Sequence, residues 1–233
     1  MAFTDPRYLL FLGLVTVMLP LVPRGMMRLS VSGLVGIAFY LNLVPDYCYV
    51  LVAVSATAYV GGLVLSKLAD GWPRTIAFVA LVVAAVLPLL IFKYAATLYA
   101  VLPPASDIAA RWSVMANLIL PIGISFYTFL ALGYLIDVYV DSARAEPNAV
   151  RFFACMWFFP HLTAGPIERV RHLAPQLENI GEFDYSRAVS GLRAILLGLF
   201  MKVVIADTLA PYVDAVYANP RQHGKIDLVL ATF

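Results

Sequence analysis

The sequence is short of charge. Only 13% of its 233 residues are Asp, Glu, Lys or Arg, 62% are hydrophobic, and the mean hydropathy is +0.87. A water-soluble domain carries about a quarter charged residues, so this composition excludes a soluble fold of its size. The formal net charge of +2 is too small to predict nucleic acid as a partner. Cysteine is scarce too. Cys48 and Cys155 lie inside apolar runs and read as small buried hydrophobes, not as a disulfide or a metal site. The sequence holds no Cys/His spacing for zinc, no Ser/His/Asp trio, no paired carboxylates, no Walker loop and no dinucleotide fingerprint. No bound cofactor is expected.

What the chain does have is long apolar runs, which predict an all-α, polytopic helical membrane protein. The runs are Tyr8–Pro23, Ser30–Pro45, Tyr47–Leu65, Thr75–Phe92 and Leu118–Tyr139. Asp5 and a barely positive flank precede the first run, and no small-x-small cleavage site follows it, so an uncleaved helix is expected. As a helix the fifth would reach about 33 Å, enough to cross. Arg24 and Arg28 lie between the first two runs, and Lys67 and Arg74 between the third and fourth. The positive-inside rule puts those loops in the cytoplasm and the N-terminus outside. Tyr94–Trp112, with Pro103-Pro104 and Asp107, becomes an external loop.

Beyond Asp137 the pattern breaks. Phe152–Pro160 is apolar but only nine residues long, and Arg144 and Arg151 on one flank and Arg169 and Arg171 on the other both suit the cytoplasm. The expectation is a re-entrant or broken segment around Phe152–Pro166, buried in protein or lining a wet cavity. His172–Tyr185 reads as a polar loop. Ser186 is the expected cap of a helix over Ala188–Ala206, which carries Arg193 and Lys202 and is tilted or half immersed; Lys202 snorkels. Ala210–Ala218 is a shorter amphipathic piece. Ile226–Phe233 begins an apolar run that stops after eight residues, which suggests the N-terminal portion of something longer.

His161 sits inside the broken segment. An ionisable residue at membrane depth is a site hypothesis, as general base or relay; the plainer reading is that its ring satisfies backbone freed beside Gly165-Pro166. Arg169, Arg171 and His172 suit an anionic ligand such as the phosphates of a cofactor or a lipid, or serve topology alone. Asp137 pairs with an arginine or anchors the helix boundary. Tyr127 and Tyr134, seven apart, share a helix face and line a polar path or pack. Pro121 and Gly123 kink this helix or open its first turn.

Two stretches, LPIGISFYTFLALGYLIDVYVD (Leu120–Asp141) and FFPHLTAGPIERVRHLAPQL (Phe158–Leu177), resemble linked signatures of the membrane-bound O-acyltransferase family. GLFMKVVIADTLAPYVD (Gly198–Asp214) and FKYA (Phe92–Ala95) resemble the branch containing alginate O-acetyltransferase and the D-alanyl transfer protein of teichoic acids. The resemblance implies a single transmembrane domain over residues 1–233, in the bacterial inner membrane, with a funnel through the bilayer. It implies a cytoplasmic acyl thioester donor, acetyl-CoA or an acyl carrier, and an extracytoplasmic polysaccharide acceptor or a separate transferase, besides membrane lipids. It makes Pro160, His161, Gly165, Pro166, Tyr127 and Tyr134 funnel or structural residues, and Arg169 and Arg171 possible donor contacts. The family's catalytic histidine lies in a later motif that this sequence does not contain, so His161 is at most a helper. The other class kept open is a non-catalytic membrane scaffold; a transporter is disfavoured because no matching pair of broken helices is visible.

Overall fold

The apolar runs become helices, and no strand forms among the described residues. The bilayer gives the reason: a backbone polar group in hydrocarbon must be paired within its own segment. The structure is a computed structural model and describes residues 5–101, 120–163, 165–180 and 183–232. The helices are α1 (Pro6–Met18), α2 (Met26–Leu43), α3 (Cys48–Leu65), α4 (Trp72–Val101), α5 (Ile124–Tyr139), α6 (Ala149–Met156), α7 (Phe159–Leu162), α8 (Val170–Glu178), α9 (Tyr185–Phe200), α10 (Asp207–Ala218) and α11 (Lys225–Thr232). Four stretches are long and apolar enough to cross a membrane: Met26–Leu43, Pro45–Leu65, Trp72–Ala95 and Tyr185–Ala218. The protein is an all-α polytopic membrane protein.

Several boundaries differ from the sequence reading, each for a local reason. The apolar stretch Pro6–Leu21 is shorter than the four spans. α2 starts at Met26, so Arg28 lies inside a helix and not in a loop. α4 runs on through Lys93 to Val101, so Tyr94–Val101 is helical; the rest of the expected loop, with Pro103-Pro104 and Asp107, lies outside the described residues, as does Leu118. α5 begins only at Ile124, because Gly123 takes a left-handed φ of 76° after Pro121. At 16 residues it is about 24 Å long, too short to cross straight. The expected loop after His172 contains α8, whose Leu173, Ala174 and Leu177 are buried on one face. Asp184, not Ser186, caps α9: its carboxylate accepts from the Arg187 N–H at 3.0 Å.

The chain divides into two compact units, Val17–Ile180 and Met1–Thr16 with Gly181–Phe233. In the second, α9 and α10 join through a π-helical turn, Met201–Ala206, into one helical stretch over Tyr185–Ala218. Lys202 pairs with Asp207 there. α11 packs on α10, with Tyr217 and Thr232 hydroxyls 2.7 Å apart.

In the first unit α3 packs against α4 and α5, and α2 against α6, α7 and α8. The core centres on Tyr40, Leu51, Val54, Ala58, Tyr127, Leu135, Phe152 and Leu162. Lipid is as apolar as leucine, so helices in a membrane are held by close packing and not by the hydrophobic effect. Glycines permit that closeness. A Cβ on Gly62 of α3 would lie 2.6 Å from the Tyr134 ring of α5, and one on Gly36 of α2 would overlap the Trp157 carbonyl.

Candidate functional site

The expected broken segment is present as α6, a break at Trp157-Phe158, and the single turn α7. Asn148 starts α6 by accepting from the Arg151 N–H at 3.1 Å, a side-chain N-cap. Pro160 occupies the first turn of α7, where a missing N–H costs nothing. The break is fixed from three sides. Trp157 Nε1 donates to Ser55 Oγ on α3 at 3.2 Å. Gly36 meets the Trp157 carbonyl, and Gly123 meets that of Leu162.

His161 lies within this packing. Its ring meets Phe158 edge-on at 5.2 Å, and Gly165 leaves room beside it: a Cβ there would lie 2.6 Å from the His161 Cα. Its Nδ1 is buried with no hydrogen-bond partner among the described residues. Burial holds the imidazole below its ordinary pKa despite Glu168, so the ring is neutral near pH 7. Pro166 follows in a stretch without regular secondary structure leading to α8.

The charged groups gather elsewhere, at one end of the bundle. Asp137, in the last turn of α5, forms an ion pair with Arg169, whose Nη1 also donates to the Gly133 carbonyl at 3.3 Å. Arg171 Nη1 donates to the Ser142 carbonyl at 2.6 Å. Arg151 lies between Glu146 (3.7 Å) and Glu178 (3.3 Å). The Tyr134 hydroxyl accepts from the Glu146 N–H at 2.9 Å. Several of these groups line a cavity of about 50 Å³, whose lining includes Tyr134, Asp137, Arg144, Glu146, Arg169 and Arg171, with room for water.

The structure therefore divides the sequence-predicted residues. Tyr134, Arg169 and Arg171 meet at the cavity. His161 and Gly165 touch each other in the broken segment, beside Pro160 and Pro166, and none of these four lines that cavity. Tyr127 is fully buried in the core, its ring edge-on to Tyr40 at 6.3 Å. Cys155 borders the cavity, but burial pushes its thiol up to about 12, which leaves no thiolate nucleophile.

Sequence reading missed two arginines at this end. Arg28, 3% exposed, donates to the carbonyls of Val22 (2.7 and 3.2 Å), Pro20 (3.1 Å) and Ile180 (3.0 Å). Arg74 pairs with Asp70 and, at 2.6 Å, with Asp141. In the sequence both serve only as topology signals, and nothing in a lone loop arginine announces several partners.

Two predictions arise here. Asp137→Ala strands Arg169, and since that side chain is 42% exposed the loss is expected at about 1–2 kcal/mol. The swapped pair Asp137→Arg with Arg169→Asp should recover part of it in a double-mutant cycle of thermal unfolding. The Arg74 guanidinium holds the Asp141 carboxyl below the usual aspartate range. Its contribution is complete above about pH 4 and is lost as pH falls through the lower folded value. Arg74→Gln is thus expected to move acid unfolding, followed by circular dichroism, to higher pH.

No family model matches the chain. Curated relatives do match in part. A probable alginate O-acetylase of Azotobacter vinelandii is 42% identical over 105 residues, 45% of this chain and 21% of that protein. The probable alginate O-acetylase of Pseudomonas aeruginosa is 41% identical over 109 residues, 46% of this chain and 21% of the relative. Just under half of the chain is thus similar to part of bacterial O-acetyltransferases. A second polymer appears among them: a peptidoglycan O-acetyltransferase of Helicobacter pylori is 34% identical, covering 42% of this chain and 24% of its own length. The resemblance to the alginate O-acetyltransferase branch is thereby borne out. Each match spans about a fifth to a quarter of the relative.

Proposed function

We propose that the chain takes part in O-acetyl transfer across a bacterial inner membrane, from a cytoplasmic thioester to a hydroxyl of an extracytoplasmic polysaccharide. The partial identity with O-acetyltransferases named for two bacterial polymers carries this reading. The donor is acetyl-CoA or an acetylated carrier. A base takes the hydroxyl proton as its oxygen attacks the thioester carbonyl, the thiolate leaves, and donors hold the oxyanion. In this reading Arg171 meets the anionic donor, because it is exposed and spends one nitrogen on Ser142. Arg169 positions the segment after α7, because Asp137 already engages it. His161 and Gly165 shape the interior. The N-terminus lies outside, and the charged end faces the cytoplasm. A separate extracytoplasmic transferase completes delivery.

A membrane scaffold is the second reading. It draws on one observation: no histidine lines the cavity beside Tyr134 and Arg169.

Deleting the gene from its host tests the proposal. Alkali-labile acetate on the envelope polysaccharides should fall and return on complementation; unchanged acetate contradicts it.

A further inference from the structure

A larger cavity lies beside the small one. Its volume is about 590 Å³, and its lining includes Leu65, Asp70, Arg74, Val138, Asp141 and Arg144. Leu65 is the last residue of one span and Arg74 the third of the next, which begins at Trp72. The cavity therefore sits where spans leave hydrocarbon, at headgroup level. Trp72 is 79% exposed there, as an interfacial aromatic is.

The charges in this cavity do not cancel pair by pair. Arg74 serves two carboxylates. It holds Asp141 through both oxygens, Nη2 at 2.6 Å and Nη1 at 3.2 Å. It also reaches one oxygen of Asp70, Oδ1. One cation against two carboxylates leaves one negative charge over. That charge belongs to Asp70, whose side chain is 86% exposed and whose second oxygen has no partner among the described residues. Arg144 lines the same cavity and has no ion-pair or hydrogen-bond partner among the described residues. Lys67 stands beside the lining residues Ser66 and Leu68 without lining the cavity itself. The cavity thus offers one spare cation and one spare carboxylate, with apolar walls from Leu65, Leu68 and Val138.

We infer that this cavity binds the zwitterionic headgroup of a phosphoethanolamine lipid. The phosphate meets Arg144, the primary ammonium donates to Asp70, and the acyl chains leave along the apolar wall. A simple anionic headgroup would satisfy Arg144 but leave Asp70 facing it. A choline headgroup would bring a cation with no N–H to donate. The inference does not depend on acetyl transfer.

The test uses the purified full chain in detergent, with bound lipid read by native mass spectrometry against phosphatidylethanolamine, phosphatidylglycerol and phosphatidylcholine. Phosphatidylethanolamine should bind best, by about fivefold, the size of one interfacial charge contact. Arg144→Gln should weaken all three lipids. Asp70→Asn should remove the preference for ethanolamine over choline while leaving phosphate binding. Both side chains are exposed, so both variants should keep the parent's unfolding temperature. Equal binding of the three lipids, a preference for phosphatidylglycerol, or variants that bind as the parent does would overturn the inference. Displacement by soluble phosphoethanolamine at matching concentration would assign the cavity to a free metabolite and overturn the lipid assignment.

Discussion

Gly36→Ala is expected to cost about 3 kcal/mol or more, from a single methyl group. The Cβ would overlap the Trp157 carbonyl, and both partners are backbone, so no rotamer can give way. Either α2 moves away from the break after α6, or the break reshapes. Each route loses the contacts of α2 with α6 and α7, and Trp157 loses its register with Ser55. Gly13→Ala is the control. Nothing lies within 4 Å of its Cβ position, and alanine favours a helix by about 0.5–1 kcal/mol over glycine. Thermal unfolding of the two variants in detergent should move in opposite directions.

Arg28→Met should cost about 3 kcal/mol, the range for losing several charge-assisted hydrogen bonds at a buried site. The guanidinium gathers carbonyls from the chain entering α2 and from the end of the segment after α8. Its loss leaves those acceptors unpaired. Arg28→Lys should recover little, because an ammonium cannot reproduce a planar fork that serves three carbonyls. Arg24→Met removes an equal charge from the turn just before α2 at an exposed position and should stay within about 0.5 kcal/mol. If Arg28 and Arg24 variants unfold alike, Arg28 contributes charge only.

The helices were legible in the sequence because apolar runs leave the backbone one way to pair its polar groups. The broken segment was legible because nine apolar residues between two arginine-bearing flanks cannot cross. Helix ends were less so. Lys93 reads as a boundary, yet α4 passes through it, since a long cation reaches the interface from inside a helix. Leu120 reads as helix, yet Gly123 adopts a left-handed φ against the Leu162 carbonyl, a contact visible only once α7 is in place. Asp137 was read as pairing with an arginine or anchoring the boundary; its partnership with Arg169 crosses 32 positions. A sequence shows the charge of Arg169 and not the carboxylate that pairs with it. His161 stood out as an ionisable residue inside the broken segment, but that it does not line the charged cavity is a matter of tertiary placement.

The most direct measurement grafts the stretch of this chain from α5 to α8, Ile124 to Glu178, into the Pseudomonas aeruginosa relative and quantifies acetyl esters on the alginate made by a strain that depends on that protein. The account predicts that the chimera restores acetylation, and that Asp137→Ala within the graft lowers it while the Asp137→Arg, Arg169→Asp swap restores part. A chimera that inserts in the membrane at the parent's level and adds no acetate would contradict the assignment of this segment to O-acetyl transfer.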